Sequence, residues 1–202
     1  MANIPFNPYA ITNVQDSFSV QSQGYWQGDV LADPAARFQI VAGVVAAAET
    51  LPMWGGVAIY EATPPANSAS TGQGPTIGRA ASAATLAGFT TYQGTFAAPV
   101  TPSSTAPLQA SGGGFNFVRL GSLSRIVVAC NSAVIALAGT DNPQTFGWDA
   151  TNQQLVAAGA GTFDFKATLV AVNAGNSATV VYNGTTGAAT WNTTGNVAVI
   201  LI

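Results

Sequence analysis

Apolar and polar residues alternate most cleanly in the second half of the chain. FNFVRLG places Phe115 and Phe117, with Arg119, on one face of an extended segment. GTFDFKATLVAVNAG does the same for Phe163, Phe165, Ala167, Leu169 and Ala171. Alternation with period two marks β-strands, because successive side chains leave a strand on opposite faces. LSRIVVAC and AVIALAG are continuous apolar runs that read as two strands, with the turn formers Asn131 and Ser132 between them. The last 26 residues read as two further strands, with Asn183-Gly184 and Thr193-Thr194-Gly195 as separators.

The first half is less regular. Phe38, Ile40, Val44 and Val45 suit a buried strand, and GGVAIYEA at 55–62 aligns Val57, Ile59 and Glu61 on one face. AAAET suits a helical turn that Pro52 ends, and SAATLAG suits a short helix that Gly88 ends. Two stretches, 63–80 and 101–114, are crowded with Pro, Gly and Ser and read as long loops. Residues 1–24 carry Pro5 and Pro8 among Asn and aromatic residues, and read as an extended arm. The expectation is a mainly β protein with at most two short helices. Residues 25–202 form one β-sandwich or jelly-roll-like domain behind the arm. Short strands at spacings of about 8–12 residues carry that expectation.

Composition changes the picture sharply. Only 6% of the 202 residues are charged, histidine is absent, and lysine occurs once, at Lys166. A free soluble domain ordinarily keeps about a quarter of its residues charged. A surface so neutral fits a chain covered by partners in a large assembly. The four arginines and Lys166 form no basic run and the net charge is −3, so phosphate-rich nucleic acid is not an expected partner. No window reaches the roughly 18 apolar residues of a membrane helix, and the first residues lack the basic and apolar regions of a secretory signal.

Catalytic chemistry finds little material. Cys130 lies in an apolar run and reads as a small buried hydrophobe; no histidine exists to activate it. The eight acids form no calcium-loop spacing and read as turn caps and ion-pair partners, with Glu49 expected to be buried with Arg37. No cofactor, metal site or catalytic residue is expected. NPQTFGWDATNQQLV at 142–156 is the one stretch that suggests ligand chemistry. It reads first as a β-hairpin, with a DATN turn at 149–152, Trp148 inward and the two glutamines outward. The alternative is a sugar site made of Trp148, Asn152 and Gln153, an indole face beside two amides.

WGGVAIYEATPP, IGRAASAATLAGFTTY, FVRLGSLSRIVVACNSAVIAL and FGWDATNQQLV together resemble a group of small virion structural proteins of tailed bacteriophages, over most of residues 20–160. The resemblance implies a capsid decoration, or cement, protein. Such a protein would be made in the host cytoplasm, sit on the outer capsid surface as a dimer or trimer, and bind the major capsid protein and copies of itself. A tail or fibre component, or a carbohydrate-binding host-attachment protein, is the alternative. The Pro- and aromatic-rich segments without regular structure supply the interface candidates: Pro5, Phe6, Pro8 and Tyr9 in the arm, and Pro64 and Pro65 in the first loop.

Overall fold

A computed structural model describes residues 10–12, 20–22, 24–31, 39–64, 74–92 and 105–202. Near the start of the chain, β1 (Ala10–Thr12) pairs antiparallel with β2 (Val20–Ser22). The body follows with β3 (Ile40–Val45), β4 (Ala58–Ala62), β5 (Thr76–Arg79), β6 (Gly88–Thr91) and β7 (Gly114–Arg119). Next come β8 (Arg125–Ala129), α1 (Ser132–Ile135), β9 (Gln144–Asp149), β10 (Gln154–Ala157), β11 (Phe163–Asn183) and β12 (Ala188–Leu201).

The mainly β class read from the sequence holds. Five strands close into a barrel in the order β3-β5-β4-β6-β7, and five more form a sheet in the order β10-β9-β11-β12-β8. Closure removes the unpaired strand edges that invite aggregation. Within the barrel β3 and β5 run parallel and the other neighbours antiparallel.

Alternation decides which core each barrel residue joins. Ile59, Ile77, Phe115 and Phe117 pack with Met53, Trp54 and Tyr92 in one apolar cluster. Their strand neighbours Ala58 and Val118, with Phe89, face the other way and pack with Phe146, Trp148, Phe165 and Ile200 of the sheet. Of the barrel strands, β6 is buried along its whole length, whereas β4 and β7 keep partly exposed positions beside buried ones. Gly88 is required where β6 meets β7, since a Cβ there would stand 2.0 Å from the Val118 carbonyl oxygen.

The β11–β12 hairpin ties the two halves together. Its near part, including Leu169 and Ala198, belongs to the sheet cluster, and its far part, Ala178, Val180, Ala189 and Trp191, belongs to the barrel cluster. The sequence places a break near Gly175 and another at Thr193–Gly195, yet each strand runs through. Register shifts between Asn173 and Thr179 absorb the irregularity, with Gly175 at φ 69°.

Residues 24–31 act as a crosspiece. Trp26 bridges Ala178 in parallel and Val30 bridges Ile126 antiparallel, so this segment covers open edges of both β11 and β8. Just past β8, Cys130 bridges Leu155 of β10, and the Asn131 N–H donates to the Leu155 carbonyl oxygen.

Three local expectations are corrected. AVIALAG, read as a strand, begins with helix α1 because the Asn131 Oδ1 accepts from the Val134 N–H at 3.2 Å and caps it. SAATLAG makes a turn instead of a helix: the Thr85 hydroxyl donates to the Ser82 carbonyl, a side-chain bond that competes with helical pairing. The 63–80 loop ends early, since residues 76–79 form β5. Of the second loop, 101–104 lie outside the described residues, while Thr105 and Gln109 bridge Thr190 and Met53.

Candidate functional site

The 144–157 stretch is a hairpin, with Trp148 opposite Leu155 and Asp149 opposite Gln154. Its turn is built by Asp149. One carboxylate oxygen accepts from the Thr151 and Asn152 N–H groups at 2.9 and 3.1 Å, and the other from the Asn152 side-chain amide at 2.7 Å. Partial burial pushes the Asp149 carboxyl up, but these bonds, with help from Gln154, outweigh it and leave the group below its ordinary value.

The structure separates the three residues of the alternative sugar site. Trp148 is fully buried, its ring 5.3 Å from Phe89 of the barrel, and presents no face to a ligand. Gln153, expected to turn outward, is also fully buried; it takes φ 52° to close the turn and its amide donates to the Ala150 carbonyl at 2.7 Å. Only Asn152 reaches the surface. Trp54 and Trp191 are buried as well, and Trp26 is half-buried against Trp191.

Of the interface candidates, Pro5, Phe6, Pro8, Tyr9 and Pro65 lie outside the described residues. Pro64 is half-buried and lines a shallow depression with Glu61, Thr63, Pro75 and Ala87. The sequence reading missed a more exposed apolar element, the turn after β7. Leu123 there is 74% exposed with φ 58°, in the left-handed region that suits glycine, and Leu120 beside it is also exposed. Ser122 and Ser124 hold the turn, the Ser124 hydroxyl donating to Gln39 at 2.9 Å. A leucine in an unfavourable backbone region, placed outward, was not legible from propensity.

Two ion pairs lie within the described fold. Arg119 of β7 reaches across β6 to Glu61 of β4 with bonds of 2.8 and 2.6 Å. Glu49 is held by Arg79, its carboxylate accepting from the Arg79 N–H at 2.9 Å, while Arg37, its expected partner, lies outside the described residues. The parallel pairing of β5 with β3 carries Arg79 to the turn that follows β3, and its guanidinium lies 4.8 Å over the Trp54 ring.

A groove of about 370 Å³ runs between the far β11–β12 hairpin and the turn at 150–153. Asn152, Gln154, Thr179, Tyr182, Asn192 and Asn196 are among its walls, and no charged residue lines it among the described residues. Among the described residues no group of three or more Cys, Asp or Glu side chains gathers to hold a metal ion. No described helix is long and apolar enough to cross a membrane. No family model, curated protein or solved structure matches the chain.

Proposed function

We propose that this chain is a structural component of a tailed-phage virion, which stabilises the capsid by binding on its outer surface between capsid subunits, as a dimer or trimer. The reading rests on the resemblance noted above, and one structural observation supports it: in a chain with only 6% charged residues, apolar side chains stand exposed. Two of the five cations, Arg79 and Arg119, are tied to Glu49 and Glu61, while Leu51, Leu120, Leu123, Val170 and Val181 stand exposed. A neutral surface with apolar points gains from being covered, at about 25 cal/mol per Å² of apolar area before association costs. Repetition over a symmetric shell then multiplies modest contacts. We read the barrel wall and the sheet as the two layers of a sandwich-like body suited to lying flat on such a shell.

The test is cosedimentation of the purified chain with mature capsids that lack it. Binding at a fixed copy number per subunit, with a higher temperature of capsid rupture, is the expected result. Absence of binding, or binding to tails alone, overturns the capsid reading. An oligomer is expected in light scattering, and a strict monomer at micromolar concentration overturns that part.

A further inference from the structure

We infer that the groove between the β11–β12 hairpin and the 150–153 turn is a binding site for a neutral oligosaccharide, independent of the proposed capsid contact. The carboxamides in its wall carry the inference. Each is tied down at one end and free at the other. Asn192 Oδ1 accepts from the Thr194 N–H at 3.0 Å and from its hydroxyl at 2.9 Å, so the Asn192 NH2 is held in a fixed direction with no acceptor among the described residues. Asn196 Oδ1 accepts from the Gly175 N–H at 2.9 Å, which leaves the Asn196 NH2 in the same condition. Asn152 is the complement: its NH2 donates to Asp149, and its Oδ1 has no donor among the described residues.

Two oriented donors and one oriented acceptor on a wall without charge match hydroxyl groups, which both give and take hydrogen bonds. Fixing these amides before a ligand arrives reduces the ordering cost of binding. Tyr182 adds an aromatic ring at the groove, fixed by packing on Trp54 at 5.5 Å. The walls mix amides and hydroxyls with the rings of Trp54 and Tyr182, the combination of polar groups and aromatic face that a sugar ring uses. A phosphorylated or acidic ligand is disfavoured because no cation among the described residues lines the groove. The site is also distinct from the sequence-derived one, sharing only Asn152 with it.

The experiment is an NMR titration of the full chain, following asparagine side-chain NH2 signals, with maltohexaose, cellohexaose, mannohexaose and chitohexaose at millimolar concentration. At least one sugar is expected to move the Asn152, Asn192 and Asn196 signals together while those of the distant Asn142 stay still. The double variant Asn192→Asp, Asn196→Asp keeps both capping acceptors and loses both free donors. It is expected to fold, with an unchanged circular dichroism spectrum, and to bind at least about tenfold more weakly. Asn152→Ala, in an exposed turn, is expected to weaken binding without loss of fold and serves if the double variant misfolds. The inference is overturned if none of the four sugars moves these signals, if a folded variant binds as tightly as the parent, or if only unstructured peptides move them.

Discussion

Trp148 of β9 and Phe89 of β6 meet edge to face, with ring centroids 5.3 Å apart and planes at 67°, and both are among the largest fully buried side chains of the fold. The contact therefore joins two separately hydrogen-bonded units into one core. Aromatic pairs in this geometry are worth about 0.5–1.5 kcal/mol beyond the area they bury.

Trp148→Ala should be among the most damaging single changes. It opens a cavity at the junction, with an expected loss of about 3–5 kcal/mol. Trp148→Phe should cost clearly less, because the indole Nε1–H is buried without a partner and its removal relieves an unsatisfied donor. Urea denaturation followed by circular dichroism measures both. Equal losses for the two variants would contradict this account.

Gln27 is a buried polar residue with a structural task. Its backbone N–H donates to the Ala178 carbonyl at 2.9 Å, and its Oε1 accepts from the Val180 N–H at 2.8 Å. The side chain thus continues the crosspiece ladder one step past the end of its backbone. Gln27→Met keeps the volume and removes the acceptor, leaving a buried N–H unpaired, with an expected loss of about 1–3 kcal/mol. Hydrogen exchange at Val180 should accelerate more than at Val199 on the sheet.

What the sequence disclosed depended on how its residues face solvent. Phe163 and Phe165 alternate with exposed neighbours, Phe115 and Phe117 flank the less buried Asn116, and all four phenylalanines are buried. The Asp149 and Asn183 turns were legible because short polar side chains cap nearby N–H groups; Asn183 Oδ1 accepts from Thr185 and Thr186. Barrel closure was not legible. It depends on the parallel β3–β5 pairing, which rests on two residue pairs, Val44 with Thr76 and Val45 with Ile77. The groove was equally hidden: Asn152 and Asn192 are 40 positions apart, and only the long hairpin brings their neighbourhoods together.

The Glu61–Arg119 pair should give a small, pH-dependent contribution. The hydrogen bond from Arg119 is the main cause that holds the Glu61 carboxyl below its ordinary 4.5. A lowered carboxyl stabilises the fold in full above its unfolded value, and that stabilisation is lost as pH falls through the folded one. Arg119 is half exposed, so screening limits the pair to under about 1 kcal/mol. Glu61→Gln should therefore lose little at pH 7 and nothing at pH 2. A carbon-detected NMR titration of Glu61 should give a midpoint below 4.5, moving upward in high salt.

Cys130 should behave as a core residue and report on opening of the sheet. It is 5% exposed, and burial pushes its thiol from an ordinary 9.0 up to about 12. The thiolate is the reactive form, so at pH 8 the native thiol should react with a disulfide reagent far more slowly than the unfolded one. The same shift has a stability consequence. A raised folded value leaves the full contribution in place below pH 9, and the fold then loses stability as pH rises from there toward 12, because the unfolded thiol ionises first. Cys130→Ala should remove that alkaline loss while costing some packing at all pH values, since the side chain lies among Val128, Val134 and Leu155 in one cluster. Thiol labelling in a urea series checks the first part, and denaturation of both proteins at pH 7 and pH 10 checks the second. Rapid labelling of the native chain would show that the Cys130–Leu155 side of the sheet opens on its own, without global unfolding.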